Sequence, residues 1–254
     1  MTIEINGATL YYERRGTGKP VLLLHGWGAS AAAMKPIADC VIALGREAVS
    51  LDFPGFGQSQ DPPGPWGVPE YAACTRAFME ALSLAGCDVI AHSFGGRVTI
   101  YLASEAPALF GRLVLVDAAG VKPRRGPGYY ARVYTYKLGK RLARVPWLNR
   151  AFRISERQKN AGSEEYRALR GDMRTTYIKT VNLDLSGRLP KIPNETLLIW
   201  GEKDATTPLW MGRKMERRMQ NAGLAVIPGA GHFSYAEDYP RFCSILKILF
   251  SSEA

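Results

Sequence analysis

Val89-Ile90-Ala91-His92-Ser93-Phe94-Gly95-Gly96-Arg97 is an apolar run that stops at a serine and passes directly into small residues and then a helical pattern. A serine hydroxyl is a poor nucleophile unless the backbone thrusts it out beside a base. A strand, a strained turn and a helix do this together, leaving the side chain exposed at the tip of the turn. Strand and helix then approach so closely that the flanking positions must be small. Here they are Ala91, Gly95 and Gly96, with alanine at the leading position where glycine is usual.

Working outward, Val21–Leu24, Ala48–Leu51, Leu113–Val116, Thr196–Trp200 and Ala225–Ile227 repeat the short continuous apolar run of a strand covered on both faces. Helical patterns near Met34–Leu44, Glu70–Leu84, Arg97–Glu105, Leu209–Gln220 and Arg241–Phe250 lie between and after them. Strands alternating with helices predict an α/β architecture with a mainly parallel, doubly wound sheet. At the start, Ile3–Ile5 and Leu10–Glu13 flank Asn6-Gly7, a strong hairpin signal.

Residues 121–190 break the alternation. They carry no convincing strand and are bracketed by Pro123 and Pro127 at one end and by Pro190 and Pro193 at the other. They hold 17 Lys and Arg against five Asp and Glu, while the remaining chain holds 16 against 18. The net charge of +10 therefore comes entirely from this stretch. The expected organisation is a core formed by 1–120 and 191–254, with 121–190 inserted as a helical cap.

Composition narrows the function classes. With 254 residues, 46% hydrophobic and 22% charged, the chain suits one large globular unit. No basic leader followed by an apolar stretch opens it, and no apolar run approaches the ~20 residues that span a bilayer. Cytoplasmic location without membrane insertion is the expectation. Cys40, Cys74, Cys87 and Cys243 are scattered, as reduced and partly buried thiols would be. The three histidines, His25, His92 and His232, lie far apart, which argues against a histidine metal site. No phosphate-binding G-x-x-x-x-G-K-[ST] motif is present.

Acyl cleavage by serine needs a base for the hydroxyl proton, an acid to orient that base, and donors for the oxyanion. His232 follows the last strand in Gly229-Ala230-Gly231-His232, a loop whose glycines permit an irregular path to the sheet edge. Asp204 ends Trp200-Gly201-Glu202-Lys203-Asp204, just beyond a strand, where it can accept the imidazole N–H. Glu202 and Asp117 are alternative acids, although Asp117 reads better as a local cap or hydrogen-bonding residue. Leu24-His25-Gly26-Trp27-Gly28 leaves a strand through a glycine-rich turn, so the Trp27 N–H joins that of Phe94 as the predicted oxyanion hole. His25 and His92 read as bracing residues. The turn at Asp52-Phe53-Pro54-Gly55-Phe56-Gly57 reads as architecture, with Asp52 bonding the turn backbone.

Together, H-G-W-G at His25–Gly28, D-x-P-G-x-G-x-S at Asp52–Ser59, A-H-S-F-G-G at Ala91–Gly96, W-G-x-x-D at Trp200–Asp204 and G-A-G-H at Gly229–His232 resemble the α/β-hydrolase superfamily. The resemblance spans the whole chain. It implies an eight-stranded sheet, no cofactor, and Ser93, Asp204 and His232 acting through an acyl-enzyme. Esterases, lipases, lactonases, amidases, thioesterases, C–C hydrolases and cofactor-free haloperoxidases share these motifs. Epoxide hydrolases and haloalkane dehalogenases use a carboxylate at the elbow, which Ser93 does not supply.

The expected activity is a carboxylesterase acting on small or medium esters, rising as His232 deprotonates. C–C hydrolase, lactonase and thioesterase are the alternatives within enzymes, and a ligand receptor is the alternative outside them. Tyr129, Tyr130, Tyr134 and Trp147 are expected to line an apolar pocket under the cap, with Arg97 and Arg174 in reach of a substrate carboxylate. The substrate is expected to be a small molecule. The basic cap suits electrostatic steering of an anion or a solvated helix face; no nucleic-acid module is visible.

Overall fold

The structure is a computed structural model, and it describes residues 1–123, 126–142, 169 and 171–251. Eight strands form one sheet: β1 (Thr2–Ile5), β2 (Ala8–Arg15), β3 (Pro20–Leu24), β4 (Glu47–Leu51), β5 (Cys87–His92), β6 (Phe110–Val116), β7 (Thr196–Gly201) and β8 (Ala222–Ile227). Their order is β1-β2-β4-β3-β5-β6-β7-β8. Pairing is antiparallel for β1–β2 and β2–β4 and parallel from β4 through to β8. The β1–β2 hairpin turns at Asn6 and Gly7, both at positive φ (+51° and +76°), the backbone twist that suits a two-residue turn.

The helices are α1 (Lys35–Ala43), α2 (Val68–Ala81), α3 (Phe94–Glu105), α4 (Pro127–Leu142), α5 (Asp172–Asn182), α6 (Trp210–Arg218), the short α7 (Ser234–Glu237) and α8 (Tyr239–Ser251). Alternation along the central strands divides the core in two. Leu22, Leu24, Val89, Ala91, Leu113 and Leu115 face α2, α3 and α6, whereas Val21, Leu23, Ile90, Val114 and Val116 face α1 and α8. Both faces are covered, which is why these strands read as unbroken apolar runs. None of the described helices is long and apolar enough to cross a membrane.

The two edges of the parallel sheet differ. At the amino edge the buried Asp88 carboxylate is paired with Arg46 (3.0 Å) and Arg112 (3.1 Å), whose guanidinium groups lie over the Phe250 ring. That edge is closed by a structural ion cluster. At the carboxyl edge, Leu24, Leu51, His92, Val116, Gly201 and Ile227 end their strands and release the loops that carry every candidate functional residue of the core. α4 and α5 lie in the chain between β6 and β7.

Candidate active site

Ser93 joins β5 to α3 with φ +48° and ψ −106°, a conformation that non-glycine residues rarely adopt. The two glycines after it are fixed by proximity. A Cβ on Gly95 would collide with the Leu24 carbonyl, and one on Gly96 would lie 2.5 Å from the Ala118 Cβ. Ala91 lies one step back inside β5, paired with Leu24 and Leu115, where a methyl side chain fits the buried face.

The loops after β7 and β8 bring the sequence-predicted acid and base to this turn. His232 Nε2 lies 3.0 Å from Ser93 Oγ, and His232 Nδ1 lies 2.8 Å from Asp204 Oδ2. Asp204 is held on all sides. Its Oδ1 accepts the N–H groups of Thr206 (2.7 Å) and Thr207 (2.9 Å), and its Oδ2 also accepts the Thr207 hydroxyl (2.7 Å). Burial pushes this carboxyl upward, but the bonds from His232 and Thr207 outweigh it and hold it below the ordinary carboxylate range. A charged acceptor is thus maintained behind the imidazole, which can fix the tautomer that leaves Nε2 free to take a proton.

Thr207 did not emerge from the sequence, although a threonine three residues after an aspartate is a recognisable local turn pattern. Its hydroxyl also lies 2.9 Å from the Asp117 carbonyl and 3.3 Å from His232 Nδ1. Thr207→Val is expected to lower kcat about tenfold with little change in KM, and Thr207→Ser to restore most of it; steady-state kinetics on an activated ester checks this.

The other two histidines brace the site. His25 is fully buried, accepts the Phe53 N–H at Nε2 (3.0 Å) and donates from Nδ1 to the Gly26 carbonyl (2.7 Å). Burial lowers it to about 4, so it is neutral at pH 7. His92 donates from Nε2 to the backbone carbonyl of His232 (2.8 Å); burial, reinforced by His232, lowers it to about 3. Asp52 accepts the Gln58 N–H of its own turn (2.8 Å), as expected, and also the Ala31 N–H from the segment after β3.

Asp117 corrects one expectation. Its bonds are not local: Oδ1 accepts the Gly201 N–H (2.8 Å), and Oδ2 accepts the Ser234 hydroxyl (2.6 Å) and N–H (3.1 Å). The end of β6 therefore clamps the strand leading to Asp204 and the loop just after His232. Glu202, the other alternative acid, instead accepts the Gly229 N–H on the surface. Burial raises Asp117 to about 7 from 3.8. A raised folded-state value means that the native state binds the proton more tightly, so this contribution to stability is complete below about pH 4. It is lost as pH rises towards 7. Asp117→Asn is expected to flatten that part of the pH dependence, read as Tm against pH for both proteins.

A cavity of about 540 Å³ opens above Ser93 and His232. Phe94 N–H begins α3 and has no intrahelical acceptor, and Phe94 and Trp27 both border the cavity. The indole of Trp27 packs edge-on against Phe94 (5.3 Å) and Tyr177 (5.2 Å). Tyr177, together with Thr180 and Val181, brings the inward stripe of α5 into the wall. These residues were missed, although their three- and four-residue spacing is visible in the sequence.

Two expected pocket residues lie elsewhere. Tyr134 is 67% exposed, because residues 131, 134, 135 and 138 form the solvent stripe of α4. Arg174 is exposed on the first turn of α5 and donates to the Leu169 carbonyl (2.7 Å). Arg97 does border the cavity, but it is tied to α5 through the carbonyls of Thr180 and Leu183. The side chains of Tyr129 and Tyr130, and all of Trp147, lie outside the described residues.

Residues 21–244 match the model of the alpha/beta hydrolase family. The chain belongs to that family. This family member is 27% identical over 246 residues to the 2-hydroxymuconate semialdehyde hydrolase of Pseudomonas putida, covering 92% of this chain and 87% of that protein. Its fold is also that of a bromoperoxidase from Bacillus anthracis (TM-score 0.78, 23% identity, 99% of each chain). An esterase from Exiguobacterium antarcticum is similarly close (TM-score 0.76, 22% identity, 96% of this chain and 97% of that one). The family supports hydrolase activity for this chain, and the relatives divide over the bond attacked.

Proposed function

We propose that this protein is a serine hydrolase that cleaves a carboxylic ester of small or medium size through an acyl-enzyme on Ser93. The observation that carries this reading is the continuous contact from Ser93 Oγ through both nitrogens of His232 to a buried Asp204. Ser93 Oγ attacks the acyl carbon as its proton passes to His232 Nε2. Asp204 accepts the Nδ1–H and stabilises the imidazolium. The backbone N–H groups of Trp27 and Phe94 bind the developing oxyanion. His232 then returns the proton to the departing alcohol, and water repeats the sequence on the acyl-enzyme. In this reading residues 121–190 are the cap over the cavity, with α5 as its inner wall.

Cleavage of a C–C bond in a diketone-like acid is a second reading, favoured by the likeness to the 2-hydroxymuconate semialdehyde hydrolase. A fluorophosphonate probe tests the nucleophile, with labelling expected in the native protein and lost in Ser93→Ala. Product analysis then separates the readings: an alcohol marks an ester, and a shortened carbon acid marks C–C cleavage. Fluorophosphonate labelling retained in Ser93→Ala would overturn both.

A further inference from the structure

Arg97 stands one helical turn after Ser93 on α3, and the residue is only 5% exposed although it borders the cavity. Nη1 donates to the carbonyls of Thr180 (2.9 Å) and Leu183 (2.5 Å) at the end of α5. That accounts for two of the five N–H groups of a guanidinium. Among the described residues Arg97 makes no ion pair: Asp184 acts on it electrostatically without direct contact, and its hydrogen bonds are those of Nη1. Contrast the other buried arginines, Arg46 and Arg112, which share the Asp88 carboxylate. A buried cation is ordinarily paired with an anion, because carbonyl dipoles compensate its lost hydration only in part. Burial lowers Arg97 to about 10, which still leaves it charged at pH 7.

Thr180, whose carbonyl accepts from Arg97, adds an unpartnered group. The Thr180 hydroxyl is buried, has no hydrogen-bond partner, and belongs to a residue that also borders the cavity. The same cavity is also lined by apolar residues, among them Ala119, Val121, Val181 and Met211. One helical turn raises Arg97 about 6 Å along α3 from Ser93.

We infer that Arg97 and Thr180 form a carboxylate subsite, so that the substrate carries an anionic group a few carbons from the carbonyl attacked at Ser93. The inference rests on Ser93 being the nucleophile. A half-ester of a short dicarboxylic acid has this form: its ester carbonyl meets the oxyanion donors while its free carboxylate accepts the unused Arg97 N–H groups and the Thr180 hydroxyl. The carboxylate takes no part in bond making. It positions the acyl chain by charge-assisted hydrogen bonds.

The test compares the p-nitrophenyl half-ester of glutaric acid with p-nitrophenyl 5-methylhexanoate, a neutral ester of the same shape. The native protein is expected to favour the half-ester at least about tenfold in kcat/KM. Arg97→Gln keeps amide donors for the α5 carbonyls but removes the charge, and should bring the ratio close to one. Thr180→Val removes only an unpartnered hydroxyl, so Tm should hold while the ratio falls several-fold, which keeps the test readable if Arg97→Gln does not fold. Ser93-dependent hydrolysis of both esters with no preference for the half-ester overturns the subsite and leaves the serine hydrolase standing. Absence of hydrolysis together with absence of fluorophosphonate labelling overturns the nucleophile itself, and the subsite with it.

Discussion

Ser93→Ala is expected to lower kcat on an activated ester by at least about 10⁴-fold, leaving KM within a few-fold of the native value. The asymmetry follows from what the hydroxyl does. In the ground state it contributes one hydrogen bond to His232 in the lining of a cavity of about 540 Å³, and the other lining residues supply the substrate contacts. In the transition state it forms the new bond to the acyl carbon, and no neighbouring group replaces it. His25 and His92 are buried, hydrogen-bonded and neutral, so neither offers a substitute nucleophile. The backbone donors remain in the variant, and activity above the uncatalysed rate should persist through them. Alanine introduces no atom that serine lacks, so the unfolding midpoint should move little and confirm that chemistry was lost while the fold was kept. A variant retaining more than a tenth of native kcat would place the nucleophile elsewhere.

The parts of this site that the sequence exposed are those in which one residue type answers one backbone demand. The elbow was legible because Gly95 and Gly96 occupy positions where a Cβ would strike Leu24 or Ala118, and that demand leaves a local trace. Strands β3 to β7 were legible because burial on both faces writes itself into consecutive residues, and β1 and β2 because of the hairpin at Asn6-Gly7. β8 reads as the same kind of apolar run, but as the edge strand it is buried only at Ile227, so the expected cover on both faces does not hold there. Long-range polar contacts leave no such trace. Asp117 looked like a local cap because its partners Gly201 and Ser234 lie 84 and 117 residues away, brought near only by the sheet order. The pocket was least legible. Tyr134 and Tyr177 are both tyrosines on amphipathic helices, and only the packing of each helix sends one to solvent and the other against Trp27.

Asp204→Asn is expected to reduce kcat by about 10⁴-fold while the fold and the position of the side chain are preserved. The hydrogen bonds around Asp204 dictate which way the new amide turns. Oδ1 faces two backbone N–H groups, from Thr206 and Thr207, which cannot rotate away. The asparagine oxygen must therefore occupy the Oδ1 position, and its NH₂ takes the place of Oδ2, facing His232 Nδ1. An N–H directed at Nδ1 requires Nδ1 to be the acceptor, which moves the imidazole proton to Nε2. That proton now points at Ser93 Oγ, and the nitrogen that should receive the serine proton is already occupied. The Thr207 hydroxyl can turn to the Asp117 carbonyl, so the variant need not lose stability on that account. The companion variant Asp117→Asn decides between the two candidate acids. If Asp204 is the orienting carboxylate, Asp117→Asn should alter the pH dependence of Tm far more than kcat. Were Asp117 to supply the charge instead, the order of the two effects on kcat would reverse. A proton-detected NMR spectrum of His232 gives the most direct reading, with the ring proton on Nδ1 in the native protein and on Nε2 in Asp204→Asn.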